Sequence, residues 1–242
     1  MKRKIKYEEM MPEEFLAAVG ENPVFILPTG LLEWHGNHLP LGFDSLKIYQ
    51  IALKVGERAR AIVLPPNYWG GPGYGSFAGT LVFSDEVLEM LFLEIFAQLE
   101  KVGARVIALL SGHWGTKQES IVKGVAAKYM ETSRVRIFAM SEFDGLLDDD
   151  GRRPGDHACK YETSYGLALI PELVKMDKFE PGTCEIHRYG KEHATRPREE
   201  SEWVWEADVH EVASAELGQK LVERSVDFIV KRIEDEKKAA GL

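Results

Sequence analysis

The sequence predicts an α/β fold, a three-layer α/β/α sandwich with a mostly parallel central sheet. Short continuous apolar runs alternate with longer segments of helical periodicity, a pattern typical of strands that are buried on both faces and connected by helices. Each apolar run ends in Pro, Gly or polar residues, so each predicted strand leads into a loop. The 242 residues contain no repeat and no linker, and we therefore expect one domain over residues 1–242.

Four apolar runs are the predicted strands. Each has four to six residues, which is short for a buried helix and usual for a strand. They span residues 24–27, 61–64, 105–110 and 135–140.

Six segments with apolar residues at helical spacing are the predicted helices. One of them begins with Ser84 as N-cap, followed by the acidic residues Asp85 and Glu86, and ends before Gly103. The predicted helices span residues 12–18, 45–59, 84–101, 117–132, 162–174 and 213–237. The Gly-rich segment 67–80 lacks periodicity and is predicted to be a functional loop, whereas the polar segment 178–205 is predicted to be irregular.

The composition restricts the classes of partner and compartment. The net charge of −9 argues against nucleic acid, which binds basic surfaces. No apolar run has the length of a membrane span, and an acidic segment instead of an apolar one follows the basic start, so we expect no signal peptide and no membrane partner. Cys159 and Cys184 form neither a C-x-x-C pair nor a disulfide framework, which predicts a cytoplasmic protein.

The loop after the first predicted strand carries Glu33, His35, His38 and Asp44 within twelve residues. Carboxylates and imidazoles are ligands of divalent ions such as Zn and Mn. Side chains alternate along extended chain, so Glu33 and His35 point to the same side, and the two oxygens of Asp44 can bridge two ions. The alternative is that these are ordinary loop residues and that His35 is a packed side chain.

Two further polar groups follow later strands. His113 comes directly after Gly112 at the end of the third strand, where the glycine allows a sharp turn; the alternative is a histidine that caps the next helix. Glu162 lies near the start of the fifth helix, and here the alternative is an N-cap Asp156 with a solvated Glu162. Ligands of parallel α/β sheets bind beyond the carboxyl ends of the strands, and Glu33, His35 and His113 each lie just past a predicted strand end.

Three motifs carry a family resemblance. Residues 33–44, Glu-Trp-His-Gly-Asn-His-Leu-Pro-Leu-Gly-Phe-Asp, resemble the Glu-x-His-Gly-x-His-Leu-Pro-x-Gly-x-Asp motif of the creatininase (creatinine amidohydrolase) family. Residues 111–116, Ser-Gly-His-Trp-Gly-Thr, are similar to its Asn-Gly-His-Gly-Gly-Asn turn. Residues 157–164, His-Ala-Cys-Lys-Tyr-Glu-Thr-Ser, are similar to its His-Ala-Gly-x-x-Glu-Thr-Ser. The motifs occur in family order, and the chain is identified as a member with a creatininase-like fold.

The resemblance implies a metal-dependent hydrolase with two divalent ions per subunit, Zn and/or Mn, with Fe possible. Glu33 and His113 would hold one ion and His35 the other. Asp44 would bridge the two ions, and Glu162 would supply the remaining carboxylate and act as a catalytic residue. Such a pair of ions lowers the pKa of a shared water and polarises the substrate carbonyl.

The resemblance also implies the remaining roles. His157 would be catalytic, as proton donor to the leaving nitrogen or as hydrogen-bond partner of the oxyanion. His38 would orient a ligand carboxylate without binding metal. A small-molecule substrate is implied, and so is a homo-oligomer, a hexamer in the family.

Departures from the family pattern bear on the substrate. Gly115 stands where creatininases place a carboxylate two residues after the turn histidine, and Arg153 stands where they carry a Trp. The cation favours a polar or anionic substrate group over creatinine. We predict that Arg153, Trp114 and Tyr74 contact the substrate, a small cyclic amide or formamide. The alternatives are hydrolysis of a carbon–carbon bond in a cyclic-diketone sugar derivative and a non-catalytic binding subunit.

Overall fold

Four parallel strands form the central sheet. The computed structural model describes residues 4–196, 199 and 202–242. The strands are β1 (Val24–Thr29), β2 (Ile62–Val63), β3 (Val106–Ser111) and β4 (Arg136–Met140), in the order β2-β1-β3-β4. All three pairings are parallel, and β1 pairs with β3 over its whole length. The predicted parallel sheet is confirmed, with its two longest strands at the centre.

Helices cover both faces of this sheet. They are α1 (Pro12–Glu21), α2 (Phe43–Ala59), α3 (Asp85–Lys101), α4 (Thr116–Met130), α5 (Lys160–Leu169), α6 (Val209–Val212) and α7 (Ala215–Ala239). Phe25 and Leu27 of β1 pack with α1, α3 and α4, whereas Val24 and Ile26 pack with α2, α5 and α7. This alternation gives two cores around one sheet and confirms the three-layer sandwich. None of the helices in the described ranges combines the length and apolar character of a membrane span.

Two segments differ from the sequence prediction. The segment 162–174 is not one helix, because α5 ends at Leu169 and a 3₁₀ turn, Pro171–Leu173, follows. Proline lacks an N–H and disfavours helical backbone in the residue before it, which explains the early end. The polar segment predicted as irregular contains a short antiparallel pair, β5 (Thr183–Cys184) and β6 (Trp203–Val204).

The contact of α5 with α7 depends on Gly218. A Cβ atom at this position would overlap the carbonyl oxygen of Ser164. We expect Gly218→Ala to lower the free energy of unfolding by about 2 kcal/mol, because the helices must separate to admit the methyl group. Urea denaturation measures this change.

The matched control is Gly124→Ala in α4, where an added Cβ meets no atom within 4 Å. This substitution is expected to raise stability by up to about 1 kcal/mol through the better helix propensity of alanine. Equal stability of Gly218→Ala and the parent would show that the helices do not pack as closely as described.

Candidate metal centre

Five buried residues meet beyond the carboxyl ends of β1 and β3. Glu33 and His35 lie in the loop after β1, Asp44 in the first turn of α2, His113 two residues after β3, and Glu162 in the first turn of α5. Glu33, His35 and Asp44 are 1% exposed. The structure brings together all five residues that the family resemblance named as metal ligands.

Two glycines allow the strand ends to approach α2. A Cβ at Gly112 would overlap the carbonyl oxygen of Asp44, and one at Gly30 would lie 2.5 Å from the backbone nitrogen of Ser45. The φ of Gly112 is not positive. The predicted turn before His113 therefore uses no positive φ at this glycine, which is required by the close approach of two backbones.

The first triad consists of Glu33, Asp44 and His113, whose ligand atoms lie within 4.8 Å of one another. Nδ1 of His113 is 3.0 Å from Oε2 of Glu33 and 3.3 Å from Oδ2 of Asp44. Nε2 of His113 lies 3.0 Å from the carbonyl oxygen of Pro72. A carbonyl only accepts hydrogen bonds, so Nε2 carries the hydrogen and Nδ1 is the nitrogen that can bind metal.

The second triad consists of His35, Asp44 and Glu162, with ligand atoms again within 4.8 Å of one another. Nε2 of His35 is 3.1 Å from Oδ1 of Asp44 and 3.6 Å from Oε2 of Glu162. Nδ1 of His35 donates to the carbonyl oxygen of Glu33 at 3.0 Å. Asp44 therefore belongs to both triads, with one oxygen directed to each.

The carboxylates and imidazoles of this cluster stabilise each other in their charged forms. Burial alone would lower the pKa of His35 and His113, but the adjacent carboxylates raise these values to about 9 and about 10. Burial likewise opposes ionisation of Glu33, yet His113 lowers the pKa of this carboxyl to about 2. The imidazoles compensate the carboxylates in the cluster.

The donor set of the two triads fits divalent metal. Within the described residues, Oδ2 of Asp44 is buried and accepts no well-aligned hydrogen bond. Three carboxylates and two imidazoles supply the nitrogen and oxygen ligands that Zn and Mn prefer. An ion next to Asp44 would satisfy this oxygen and replace the protons of the imidazoles.

Glu162 is held by a buried ion pair that the sequence analysis missed. Nζ of Lys47, which is 0% exposed, lies 2.6 Å from Oε1 of Glu142 and 2.9 Å from Oε1 of Glu162. The other oxygen of Glu162 accepts from the backbone N–H of Ala158 at 2.8 Å. A solvated Glu162, the alternative from the sequence, is wrong. The sequence feature that indicates a buried Lys47 is its position in the apolar stripe of α2, four residues before Ile51.

His157 lies against the second triad. Its ring centroid is 4.5 Å from that of His35, and its Nε2 donates to the carbonyl oxygen of Trp34 at 2.8 Å. Burial, followed by the charge of His35, lowers the pKa of His157 to about 4. The ring is therefore neutral near pH 7, and Nδ1 is the nitrogen that can exchange a proton.

A cavity of about 420 Å³ opens above the two triads. Arg153 and Trp114, two of the three predicted substrate contacts, line it together with His157 and Arg196. Arg196, which the sequence analysis did not single out, lies in a polar segment without a distinguishing pattern. The volume is that of a small-molecule site.

Tyr74 and His38 lie behind the cavity wall. The ring of Tyr74 is 4% exposed and packs on Phe77, and its backbone N–H donates to Oε1 of Glu33 at 2.7 Å. Nε2 of His38 is 2.9 Å from Oγ1 of Thr163, next to Glu162. In this structure Tyr74 supports Glu33 through its backbone, and His38 supports α5 without contacting a ligand carboxylate.

The chain is similar to known proteins in sequence and in fold. The sequence profile of the creatininase family, described as creatinine amidohydrolase, matches residues 8–233. The chain belongs to the creatininase family. A creatinine amidohydrolase of Pseudomonas putida is 28% identical over 200 residues, covering 74% of this chain and 76% of the relative.

Two further relatives have different names. A 3-dehydro-scyllo-inosose hydrolase of Thermotoga maritima is 24% identical over 185 residues, which are 72% of this chain and 58% of the relative. A mycofactocin precursor peptide peptidase of Mycobacterium ulcerans is 28% identical over 173 residues, 67% of this chain and 64% of the relative. The chain matches less than two thirds of the length of these two relatives.

Solved creatininase structures share the fold. A structure described as creatininase Mn superposes with a TM-score of 0.74 at 26% identity and covers 96% of this chain and 98% of that chain. A Zn-Zn form of a creatininase variant superposes with a TM-score of 0.73 at 26% identity and the same coverage. The sandwich is therefore the fold of creatininase-family hydrolases, of which Mn and Zn forms exist.

Proposed function

We propose that this creatininase-family chain is a single-domain, metal-dependent hydrolase that binds two divalent ions, Zn and/or Mn. The reaction we propose is cleavage of a carbon–nitrogen bond in a small cyclic amide or formamide. The observation that carries the proposal is the pair of buried triads that share Asp44. A non-catalytic relative would be expected to lack a ligand, whereas both triads of this chain are complete.

The two triads divide the metal ligands between them. Glu33 and His113 would hold one ion, and His35 and Glu162 the other, with Asp44 as the bridging residue. Two divalent ions, when bound, lower the pKa of water and polarise a carbonyl. Tyr74 fixes the Glu33 carboxylate through its backbone N–H, and Lys47 fixes that of Glu162.

His157 is the proposed proton carrier. Its hydrogen bond to Trp34 holds the ring, and its lowered pKa keeps it neutral before the reaction. Nδ1 can then accept a proton from the attacking water and donate that proton to the leaving nitrogen. This role is that of the proton donor implied by the resemblance, and it is assigned here to Nδ1.

The experiment combines metal analysis with a substrate screen. We expect close to two ions per chain after loading with Mn or Zn and dialysis, and metal-dependent hydrolysis of a lactam or a formamide. Creatinine is expected to be a poor substrate, because Arg153 and Arg196 line the cavity. Less than one ion per chain, or no hydrolysis by the loaded protein, would contradict the proposal.

The same screen includes cyclic diketones. Hydrolysis of a carbon–carbon bond is the second candidate, because one relative is named as an inosose hydrolase. A cyclic diketone that is cleaved faster than every amide would replace the amidohydrolase proposal with this one. The homo-oligomer expected from the resemblance stays a prediction, which analytical ultracentrifugation tests.

A further inference from the structure

We propose that Arg153 and Arg196 form a subsite for an anionic group of the substrate, a carboxylate or a phosphate. The inference rests on the proposed function, in which the metal cluster acts on the other end of the same molecule. Both arginines line the cavity that contains His113 and Glu162. The subsite would select small amides that carry a negative charge away from the bond that is cleaved.

Arg196 is fixed beside the first triad. Its Nη2 lies 3.1 Å from the carbonyl oxygen of Pro72, the same atom that accepts from Nε2 of His113 at 3.0 Å. Its Cζ lies 4.6 Å from the ring centroid of Tyr74, and its backbone N–H donates to Glu199 at 2.7 Å. A guanidinium has five N–H donors, so the bond to Pro72 leaves it able to bind a second group.

Gly115 makes room for this guanidinium. A Cβ at Gly115 would lie 2.7 Å from Nη2 of Arg196 and 3.8 Å from Nε2 of His113. By the family pattern this position would carry a carboxylate. The wall of the cavity next to His113 therefore has a positive charge where the pattern has a negative one, and this reversal favours a different, anionic substrate group.

Arg153 supplies the second cation. Its Nη2 lies 2.6 Å from Oδ1 of Asp144, and its side chain is 54% exposed. Besides the three carboxylates of the triads, two further carboxylates line the cavity, and both have partners from the chain. Glu119 is 2.6 Å from Nζ of Lys123, and Asp156 accepts the backbone N–H groups of residues 161 and 162.

The charge of the whole protein does not attract an anionic substrate, so that the attraction has to come from cations in the cavity. The chain has a net charge of −9, which repels anions at long range. Planar guanidinium groups bind carboxylates and phosphates through paired hydrogen bonds. A cavity of about 420 Å³ accommodates a molecule that presents an amide to the triads and an anion to the arginines.

Matched formamides test the subsite on the metal-loaded protein. The anionic probes are N-formyl-β-alanine and N-formylethanolamine phosphate, and the neutral probes are N-formyl-β-alaninamide and N-formylethanolamine. Calorimetry measures binding and formate release measures hydrolysis. We expect at least one anionic probe to bind about tenfold more tightly than its neutral counterpart, and the pair that shows the difference identifies carboxylate or phosphate.

Arg196→Met is expected to reduce this preference to about twofold or less, with unchanged metal content, because charge-assisted hydrogen bonds are lost. Arg153→Met should have a smaller effect, since this side chain is half-exposed and paired. Arg152→Met and Arg188→Met are the controls, because neither arginine lines the cavity, and both should keep the preference. Gly115→Ala tests the same contact without removing a charge and should also reduce the preference.

Two results would overturn the subsite. One is equal binding of anionic and neutral probes by the parent protein. The other is a preference that persists in both Arg196→Met and Gly115→Ala. A preference in binding without hydrolysis of any probe would support the subsite and contradict the formamide reaction, whereas hydrolysis without a preference would do the reverse.

Discussion

Replacing Asp44 by Asn is expected to remove both metal ions and to lower kcat/KM by at least about a thousandfold. Asp44 is the one residue that belongs to both triads, and the amide cannot bridge two cations as a carboxylate does. The loss corresponds to several kcal/mol of transition-state stabilisation that two ions supply. Elemental analysis after dialysis and initial rates with the best substrate of the screen measure the two effects.

A graded series of variants makes this test specific. His35→Ala removes a ligand of the second triad and leaves Glu33, Asp44 and His113 intact, so we expect it to retain about one ion per chain. His210→Ala is the control, since this exposed histidine is paired with Asp208 away from the triads. Retention of two ions by Asp44→Asn would show that Asp44 is not the bridging ligand.

Lys47→Met is expected to lower the free energy of unfolding by about 3–5 kcal/mol, because it leaves two carboxylates buried without their cation. Nζ of Lys47 lies within 3 Å of Glu142 and of Glu162, and the lysine is fully buried. Methionine fills a similar volume, so the loss reports charge and not packing. Urea denaturation measures the change.

Two further variants test whether the loss of stability is due to the buried charges. Lys54→Met, on an exposed position of α2, is expected to stay within about 0.5 kcal/mol of the parent. Adding Glu142→Gln to Lys47→Met should recover part of the stability, because one of the two uncompensated charges is removed. If the Lys47→Met protein without the second substitution is as stable as the parent, the carboxyl groups of Glu142 and Glu162 are protonated or reach solvent.

Local sequence patterns were sufficient for the sheet and most of the helices, and together with the family resemblance they named five residues that the structure brings into one cluster. Strand periodicity placed Glu33 and His35 on one side of the chain, and the parallel sheet brought His113 to the same edge. The supports of these ligands could not be predicted, because they are contacts between distant segments. Lys47 and Glu162 are 115 residues apart, and Arg196 reaches the cavity from a segment without periodicity.

The substrate role of Tyr74 shows a second limit. Its position in a Gly-rich loop predicted a functional loop but did not tell which part of the residue is used. In the structure, the backbone N–H of Tyr74 makes the contact with Glu33. Every residue except proline has this group. A side-chain pattern cannot identify such a contact.

The order of the strands divides the residues of the site into two groups. Four of the five proposed ligands follow the central strands β1 and β3, whose mutual pairing fixes them. Pro72, Arg153 and His157 follow the edge strands β2 and β4, where loops can lengthen or change composition without disturbing the central pair. A change in these loops can thus alter the cavity beside the proposed ligands without altering the strand pairing that fixes them.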